Sequence, residues 1–258
     1  MTDVRLTHVG GPTLLVEAAG LRILTDPTFD APGRRYSFGW GTSSRKLAGP
    51  AREPADLGRI DAVLLTHDHH ADNLDDRGRE LLAEVPTVLT TEPGARRLAR
   101  SRSAGSGVVQ GLAPWATTRI GEVGVTATPC RHGPPLSRPV AGAVIGFALD
   151  LGDRTVWISG DTVLYRGIRE VARRIPVDVA VLHLGCVRFP VTGPLHYSLT
   201  GPEAVQTCRL LEPDVVVPVH YEGWSHFREG RAEAERAFTA AGLTEKVRWP
   251  VPGEALIV

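Results

Sequence analysis

The feature that most constrains this chain is a cluster of histidines and aspartates directly after a short apolar run. Residues 62–65 read Ala-Val-Leu-Leu, and residues 66–73 read Thr-His-Asp-His-His-Ala-Asp-Asn. Imidazoles and carboxylates are ligands that suit zinc, iron and manganese. A buried strand would deliver them at its carboxyl end, where open α/β sheets usually keep their sites. The pattern therefore favours a metal site over the plainer alternative, a solvated polar turn in which Asp72 caps a helix.

Three later apolar runs end in the same way. Predicted strands over residues 123–128, 155–159 and 214–219 lead to His132, Asp161 and His220, respectively. A candidate ligand at each successive strand end is stronger evidence than any single histidine, because such ends share one edge of a sheet. The sequence predicts one or two divalent metal ions, with ligands drawn from His67, His69, His70, Asp72, His132, Asp161 and His220.

These pieces resemble, in order, the metallo-β-lactamase superfamily, which carries His-x-His-x-Asp-His after a buried strand. The later pieces that fit are Thr-Pro-Cys-Arg-His-Gly at 128–133, Ser-Gly-Asp-Thr at 159–162 and Val-Pro-Val-His at 217–220. The resemblance covers nearly the whole chain and is nearest to the branch of ascorbate-6-phosphate lactonase and related hydrolases. It implies an α/β fold, the αββα sandwich, in which two mixed β-sheets lie face to face with helices on the outer faces.

The resemblance also implies roles for the candidate ligands. A first metal would be held by His67, by one of His69 and His70, and by His132. Asp72, Asp161 and His220 would remain for a second metal, and Asp161 would bridge the two ions. The expected metal is zinc, with manganese or iron as alternatives.

The match to the family motif is imperfect at its end. One extra residue precedes Asp72, and Asn73 stands where the last histidine would fall. Counted back from Asp72, His70 occupies the position of the second histidine, so His69 and His70 remain alternatives for one role. An amide oxygen is a weaker ligand than an imidazole, so a dinuclear centre and a single metal both remain open.

The predicted function is hydrolysis of a small ester, lactone or phosphoester by metal-activated water. Asp72 or Asp161 would orient the water and accept its proton. His196, in the loop at 193–197, is predicted to bind the substrate or to donate a proton to the leaving group. His183 and His226 fall outside the predicted ligand set, and an ordinary core or surface role is favoured for them more than for His196.

Other functions remain as alternatives. A phosphodiesterase or nuclease of the same fold is one, but a formal net charge of zero gives no reason to expect nucleic acid or an anionic membrane as a partner. An iron-containing oxidoreductase is another, and a metal-stabilised binding module without turnover is the last. The expected partner is a small-molecule substrate, and a homo-oligomer is possible.

The chain as a whole reads as one domain over residues 1–258. No run is apolar for long enough to span a bilayer, and the first residues lack the apolar core of a signal peptide. The three cysteines are far apart and odd in number, which does not fit a disulfide framework and predicts a cytoplasmic location. Cys130 is interpreted as a small buried hydrophobe, with a thiolate ligand as the alternative.

Periodicity predicts the other elements. Strands are expected over residues 4–9, 13–17, 21–25, 87–90, 141–151, 178–182, 247–249 and 255–258. Helices are expected over 75–84, 92–100 and 229–241, from Leu164 to Ile175, and from Thr200 onward. Residues 29–54 are predicted to be irregular, with aromatic rings that either wall a substrate mouth or pack locally. Asp26 is predicted either to brace the metal site or simply to start a turn.

Overall fold

The computed structural model describes residues 2–101 and 107–258. The first strands are β1 (Arg5–Gly10), β2 (Thr13–Ala18), β3 (Leu21–Thr25), β4 (Arg35–Gly39), β5 (Thr42–Arg45), β6 (Ala62–Leu64), β7 (Thr87–Thr91) and β8 (Val108–Leu112). They are followed by β9 (Thr117–Ile120), β10 (Val123–Pro129), β11 (Ile145–Asp150), β12 (Thr155–Ile158), β13 (Val179–His183), β14 (Val215–Val219) and β15 (Ala255–Ile257). The α-helices are α1 (Asp76–Leu82), α2 (Glu92–Ser101), α3 (Arg138–Ala141), α4 (Arg166–Arg174), α5 (Gly201–Leu211) and α6 (Arg231–Ala240).

Two mixed β-sheets form the body of the protein. One has the order β15-β1-β2-β3-β6-β7-β8, and the other has the order β14-β13-β12-β11-β10-β9. A buried apolar layer takes side chains from both sheets, including Leu6, Val16, Phe147 and Ile158, and therefore lies between them. This layer draws on both ends of the chain, since Leu256 packs against it.

Each sheet is covered on its other face by helices. One outer core joins Trp157 and Leu182 of the second sheet to residues of α4, α5 and α6, such as Phe238. The opposite core joins Leu24 and Val63 of the first sheet to α1 and α2. Parallel strands covered on both faces read as continuous apolar runs, which is why β13 and β14 carry almost only valine, alanine and leucine. The predicted αββα sandwich is confirmed.

Local signals explain where two of the helices begin. Asp75 caps α1 by accepting a hydrogen bond from the backbone N–H of Gly78. Thr200 and Glu203 form a reciprocal capping box at the start of α5. None of the helices in the described part of the chain is long and apolar enough to cross a membrane.

Several predicted elements differ from the structure. Residues 29–54 are not wholly irregular, because β4 and β5 pair as an antiparallel hairpin. The strand predicted over 141–151 begins only at Ile145, because α3 and a left-handed Gly142 (φ 70°) precede it. Residues 247–249 form no strand and contribute only an isolated bridge between Val247 and Val216. The edge strands β8 and β9 were not predicted, since their mixed polar and apolar residues give no clear periodicity.

Candidate metal centre

A first cluster of three imidazoles lies beyond the carboxyl ends of β6 and β10. The ligand atoms of His67, His70 and His132 lie within 4.8 Å of one another. His70 Nδ1 is 3.2 Å from His67 Nε2 and 3.3 Å from His132 Nε2. Burial, reinforced by the neighbouring imidazoles, holds the pKa of His67 and His70 well below the ordinary histidine value. Neutral rings with converging lone pairs are the form in which histidine binds a metal.

The rings of this cluster are held by partners behind them. His67 Nδ1 lies 3.0 Å from Thr66 Oγ1, and Thr66 donates its backbone N–H to Asp26 Oδ1 over 2.7 Å. His132 Nδ1 donates to the carbonyl oxygen of Tyr197 over 2.6 Å, which leaves Nε2 directed at the cluster. Burial raises the pKa of Asp26 well above its ordinary value. Of the two predicted roles for Asp26, the structure places it in the bracing one.

The two neighbouring histidines, which the sequence left as alternatives, have different partners. His70 belongs to the cluster, whereas His69 Nε2 donates to the carbonyl oxygen of Ala141 over 2.7 Å. The His69 ring also lies against Gly142, where an added Cβ would come within 2.3 Å of it. The geometry therefore favours His70 as the ligand and gives His69 a role in seating α3.

A second cluster lies deeper and contains a carboxylate. Asp161, His183 and His220 bring their ligand atoms within 4.8 Å of one another, and all three are buried. His183 Nδ1 donates to Asp161 Oδ1 over 3.0 Å, and His220 Nε2 lies 3.5 Å from Asp161 Oδ2. Asp72 borders this cluster, since its Oδ2 is 3.6 Å from His220 Nε2. The predicted residues Asp72, Asp161 and His220 are therefore brought together.

The backbone at the second cluster is unusual where it delivers two of these side chains. Gly160, directly before Asp161, has φ 61°, and an added Cβ there would meet the Ile145 carbonyl oxygen at 2.7 Å. His220 itself has φ 59°, a left-handed conformation that is uncommon for a histidine. It is fixed by a 2.8 Å hydrogen bond from its backbone N–H to the carbonyl oxygen of Gly11. Local strain of this kind is often found at functional sites.

The second cluster contains charged groups. Burial alone would raise the pKa of Asp161, but His220 and then His183 hold this pKa well below its ordinary value. Burial likewise disfavours a charged His220, yet Asp161 and Asp72 raise the pKa of His220 to about 9. These carboxylates therefore attract positive charge strongly.

The donor atoms pass a simple test of fit to a metal ion. In and beside the second cluster, four buried imidazole nitrogens or carboxylate oxygens have no hydrogen-bond partner among the described residues, namely Asp72 Oδ1, Asp161 Oδ2, His183 Nε2 and His220 Nε2. Leaving buried polar atoms unpaired costs about 1–3 kcal/mol each. A cation bound between the carboxylates and imidazoles would satisfy such atoms, and the mixture of nitrogen and oxygen donors suits zinc, iron or manganese.

Two histidines at the centre were missed as site residues by the sequence reasoning. His183 ends β13 as the other ligands end their strands, so the same signal could have found it. His226 lies in the loop after β14, and its Nε2 is 2.9 Å from Asp72 Oδ2. It follows no strand, and nothing in the local pattern distinguishes it from an ordinary histidine.

Two other candidates have different partners. His196 Nε2 lies 3.0 Å from Glu203 Oε2 of α5, so this imidazole joins the capping box of the helix and not either cluster. Cys130 Sγ donates to the carbonyl oxygen of Ser159 over 2.8 Å, and burial raises the pKa of its thiol well above the ordinary value. A protonated, hydrogen-bonded thiol fits the non-ligand interpretation of Cys130.

A cavity of about 260 Å³ opens onto the centre. His70, Asp72 and His132 form part of its wall, and the remaining lining residues are Phe38, Trp40, Thr42, Ala141, Val187, Phe189, Val191, Thr192 and Tyr197. Phe38 is supplied by the β4–β5 hairpin and lies 5.3 Å from the His70 ring, centroid to centroid. A buried ion pair of 2.7 Å between Lys46 Nζ and Asp75 Oδ2 ties the end of this hairpin to α1. Aromatic rings of residues 29–54 thus wall the mouth of the site.

Proteins of known sequence and structure resemble this chain over nearly its full length. A UPF0173 metal-dependent hydrolase of Pyrococcus furiosus is 26% identical, with 98% of this chain and 99% of that protein covered. A second protein of that name, from Pyrobaculum calidifontis, is 27% identical over 98% and 99% of the two chains.

Solved structures give the same picture at the level of the fold. The isothiocyanate hydrolase from Delia radicum gut bacteria superposes with a TM-score of 0.82 at 24% identity, covering 98% of each chain. A possible metal-dependent hydrolase from Veillonella parvula also has a TM-score of 0.82, at 19% identity over 98% of this chain and 99% of the other. The profile of the family described as "Beta-lactamase superfamily domain" matches residues 21–221. The chain belongs to this family, the metallo-β-lactamase superfamily.

Proposed function

We propose that this protein is a metal-dependent hydrolase that acts on a small, uncharged ester or lactone, with zinc as the expected metal. The observation that carries the proposal is the convergence of two ligand clusters beside one small apolar cavity. The names of the curated relatives, which are called metal-dependent hydrolases, support it. A cytoplasmic location stays a prediction.

The residues of the centre would have different roles in hydrolysis. A bound divalent metal supplies Lewis-acid activation of water and of the scissile carbonyl group. Asp72 is placed to orient the water and to accept its proton, since its carboxylate is buried and its Oδ1 is unpaired, and Asp161, whose Oδ2 is likewise unpaired, would help to hold the metal beside the water. Tyr197 and Thr66 keep His132 and His67 in the orientations that the metal needs.

The cavity supports an uncharged substrate. Its wall is built from aromatic and aliphatic side chains, and neither lysine nor arginine occurs among the described residues that line it. Sites that recognise phosphate usually present arginine or lysine to it. A volume of about 260 Å³ is below the ~300–1,000 Å³ of typical ligand pockets. We therefore favour an ester or lactone with a small apolar group over the phosphoesters that the sequence also allowed, and over a phosphorylated lactone.

A metal and substrate survey tests this proposal. Protein purified without chelator should contain metal and should hydrolyse p-nitrophenyl acetate, p-nitrophenyl butyrate or an alkyl lactone. Activity should disappear with chelator and return with Zn²⁺, Mn²⁺ or Fe²⁺. Less than about 0.2 metal per chain, unrecoverable on adding these ions, would contradict metal dependence.

The same survey separates the alternatives. Bis-p-nitrophenyl phosphate has the same leaving group but carries a charge, so we expect turnover at least about 100-fold slower than with the acetate. Faster hydrolysis of the phosphodiester would overturn the assignment of an uncharged substrate. Full metal occupancy with no hydrolysis of any ester, lactone or phosphoester would favour a binding module.

A further inference from the structure

Asn73 stands where the family motif has its last histidine, so this chain lacks one of the ligands that the motif would supply. Its side chain is fully buried, and its amide nitrogen donates towards Thr66 Oγ1 over 3.4 Å. Asn73 therefore faces the Thr66–Asp26 brace behind the first cluster. It makes no hydrogen bond to Asp72, Asp161 or His220 within the described structure.

His226 lies where a ligand of the second cluster is needed. Its Nε2 is 2.9 Å from Asp72 Oδ2, and the same oxygen is 3.6 Å from His220 Nε2. His220 Nε2 is in turn 3.5 Å from Asp161 Oδ2. These four atoms form a connected set of two nitrogens and two oxygens. Ligand atoms bound at 2.0–2.2 Å around a tetrahedral ion lie roughly 3.4 Å apart, which is close to two of these separations.

The orientation of His226 is fixed from several sides. The ring is 2% exposed. It stacks on Phe189 at 5.3 Å with an interplanar angle of 12°, and the edge of Phe38 meets it at 5.4 Å. Its Nδ1 is hydrogen-bonded to Ser44 Oγ of β5, which leaves Nε2 as the nitrogen that faces Asp72. A metal-binding histidine typically has its second nitrogen held by a hydrogen bond in this way.

We propose that His226 is a ligand of a second metal ion, together with Asp72, Asp161 and His220, and that it replaces the histidine that Asn73 does not provide. This proposal rests on the metal dependence proposed above. His183, which holds Asp161 Oδ1, leaves Asp161 Oδ2 free for the ion. The ligand would be a divalent ion of the zinc, iron or manganese class, since two imidazoles with two carboxylates suit these metals.

The Zn²⁺ stoichiometry tests the proposal, because it can be measured without any enzymatic turnover. The full chain is stripped of metal, titrated with Zn²⁺ in a calorimeter and analysed for zinc after gel filtration. We expect two Zn²⁺ per chain for the native sequence and one for His226→Gln, with the affinity of the remaining ion unchanged. Glutamine keeps a hydrogen-bonding group beside Asp72 and Ser44 but is a much weaker ligand, so it separates ligation from simple hydrogen bonding.

Two further variants make the result interpretable. His196→Gln is the matched control, because His196 also pairs through Nε2 with a carboxylate oxygen, Glu203 Oε2, but lies outside both clusters. It should keep two Zn²⁺. Ser44→Ala removes the hydroxyl that orients His226, and it should weaken the second Zn²⁺ by roughly 10-fold. If His226→Gln does not fold, Ser44→Ala tests the ligand role of His226 in its place. An unchanged affinity for the second Zn²⁺ in Ser44→Ala would then overturn the proposal.

The outcomes separate this proposal from the proposed function. Two Zn²⁺ of native affinity in His226→Gln would overturn the ligand role of His226, and so would a single Zn²⁺ in the native protein. Either result leaves a hydrolase with one metal intact. Absence of any bound Zn²⁺, Mn²⁺ or Fe²⁺ in the native protein would overturn both.

Discussion

The two ligand clusters differ in how the chain assembles them. The first takes His67 and His70 from one turn after β6 and adds only His132 from elsewhere. The second takes its members from separate segments that end β12, β13 and β14, and borrows Asp72 from the turn that also carries the first cluster. A metal at the second cluster would therefore connect distant parts of the chain, whereas a metal at the first would mainly order one turn.

The clusters also differ in charge. Imidazoles alone make up the first, and burial holds the pKa of His67 and His70 low, so an ion there would keep its positive charge. The second also contains carboxylates, which raise the pKa of His220 to about 9 and would neutralise an ion. An uncompensated cation is the stronger Lewis acid, so the first cluster suits activation of water and the second suits binding and positioning.

The largest effect should come from the residue that electrostatically couples the clusters. Asp161 belongs to the second cluster, and although burial opposes it, His220 and a hydrogen bond from His183 hold the pKa of Asp161 well below its ordinary value, with a smaller contribution from the first cluster. Asp161→Asn keeps the shape and the partner of His183 but removes the negative charge. We expect ester or lactone hydrolysis to fall by roughly 100-fold or more, as loss of a positioned catalytic group commonly causes. Steady-state kinetics with the best substrate of the survey measures this.

A control on folding accompanies Asp161→Asn. The strand that leads to it, β12, is buried through Val156, Trp157 and Ile158, none of which is altered. The melting temperature of the metal-free variant should therefore change much less than the activity. Near-native turnover in this variant would mean that the chemistry takes place elsewhere.

A smaller but more selective effect is expected within the first cluster. His70→Ala removes a converging nitrogen, and metal affinity should fall by roughly 100-fold or more, beyond the ~10–100-fold typical for partners behind the ligands. His69→Ala removes a hydrogen bond to Ala141 and should lower metal affinity by less than about 10-fold. Competition with a zinc chelator gives both values. Similar losses for the two variants would contradict the assignment of His70 over His69.

The same contrast explains how much of the site could be predicted from sequence. A ligand at the end of an apolar strand is visible in the sequence, and this signal found His67, His132, Asp161 and His220. His183 carries the same signal but was set aside. The choice between His69 and His70 could not be made, because it depends on the carbonyl oxygen of Ala141, a residue far along the chain.

The local sequence pattern could predict neither the role of His226 nor the β4–β5 hairpin. The position of His226 depends on Ser44 and Asp72, which are more than a hundred residues away. The hairpin is rich in glycine and serine, and its end is held by non-local contacts, such as the 2.7 Å hydrogen bond from the Leu47 N–H to the Gly223 carbonyl oxygen. Long buried strands were predicted well because periodicity is a local property, whereas these features exist only once the fold has formed.

The smallest effect is expected at His196, which the sequence assigned to catalysis. Its imidazole pairs with Glu203, which also accepts a 3.1 Å hydrogen bond from the Thr200 N–H at the start of α5. The pair is partly exposed, so its loss should cost only about 1 kcal/mol of stability. We expect His196→Ala to lower kcat by less than about 5-fold, far below the ~100–10,000-fold contribution of a general acid or base. Thermal melting and steady-state kinetics on the same preparation check both values.

Glu203→Gln is the matched variant, because a role in capping requires His196→Ala and Glu203→Gln to lower the stability of the protein alike. A loss of kcat of about 100-fold in His196→Ala, with native metal content and an unchanged melting temperature, would instead restore the proton donor that the sequence predicted.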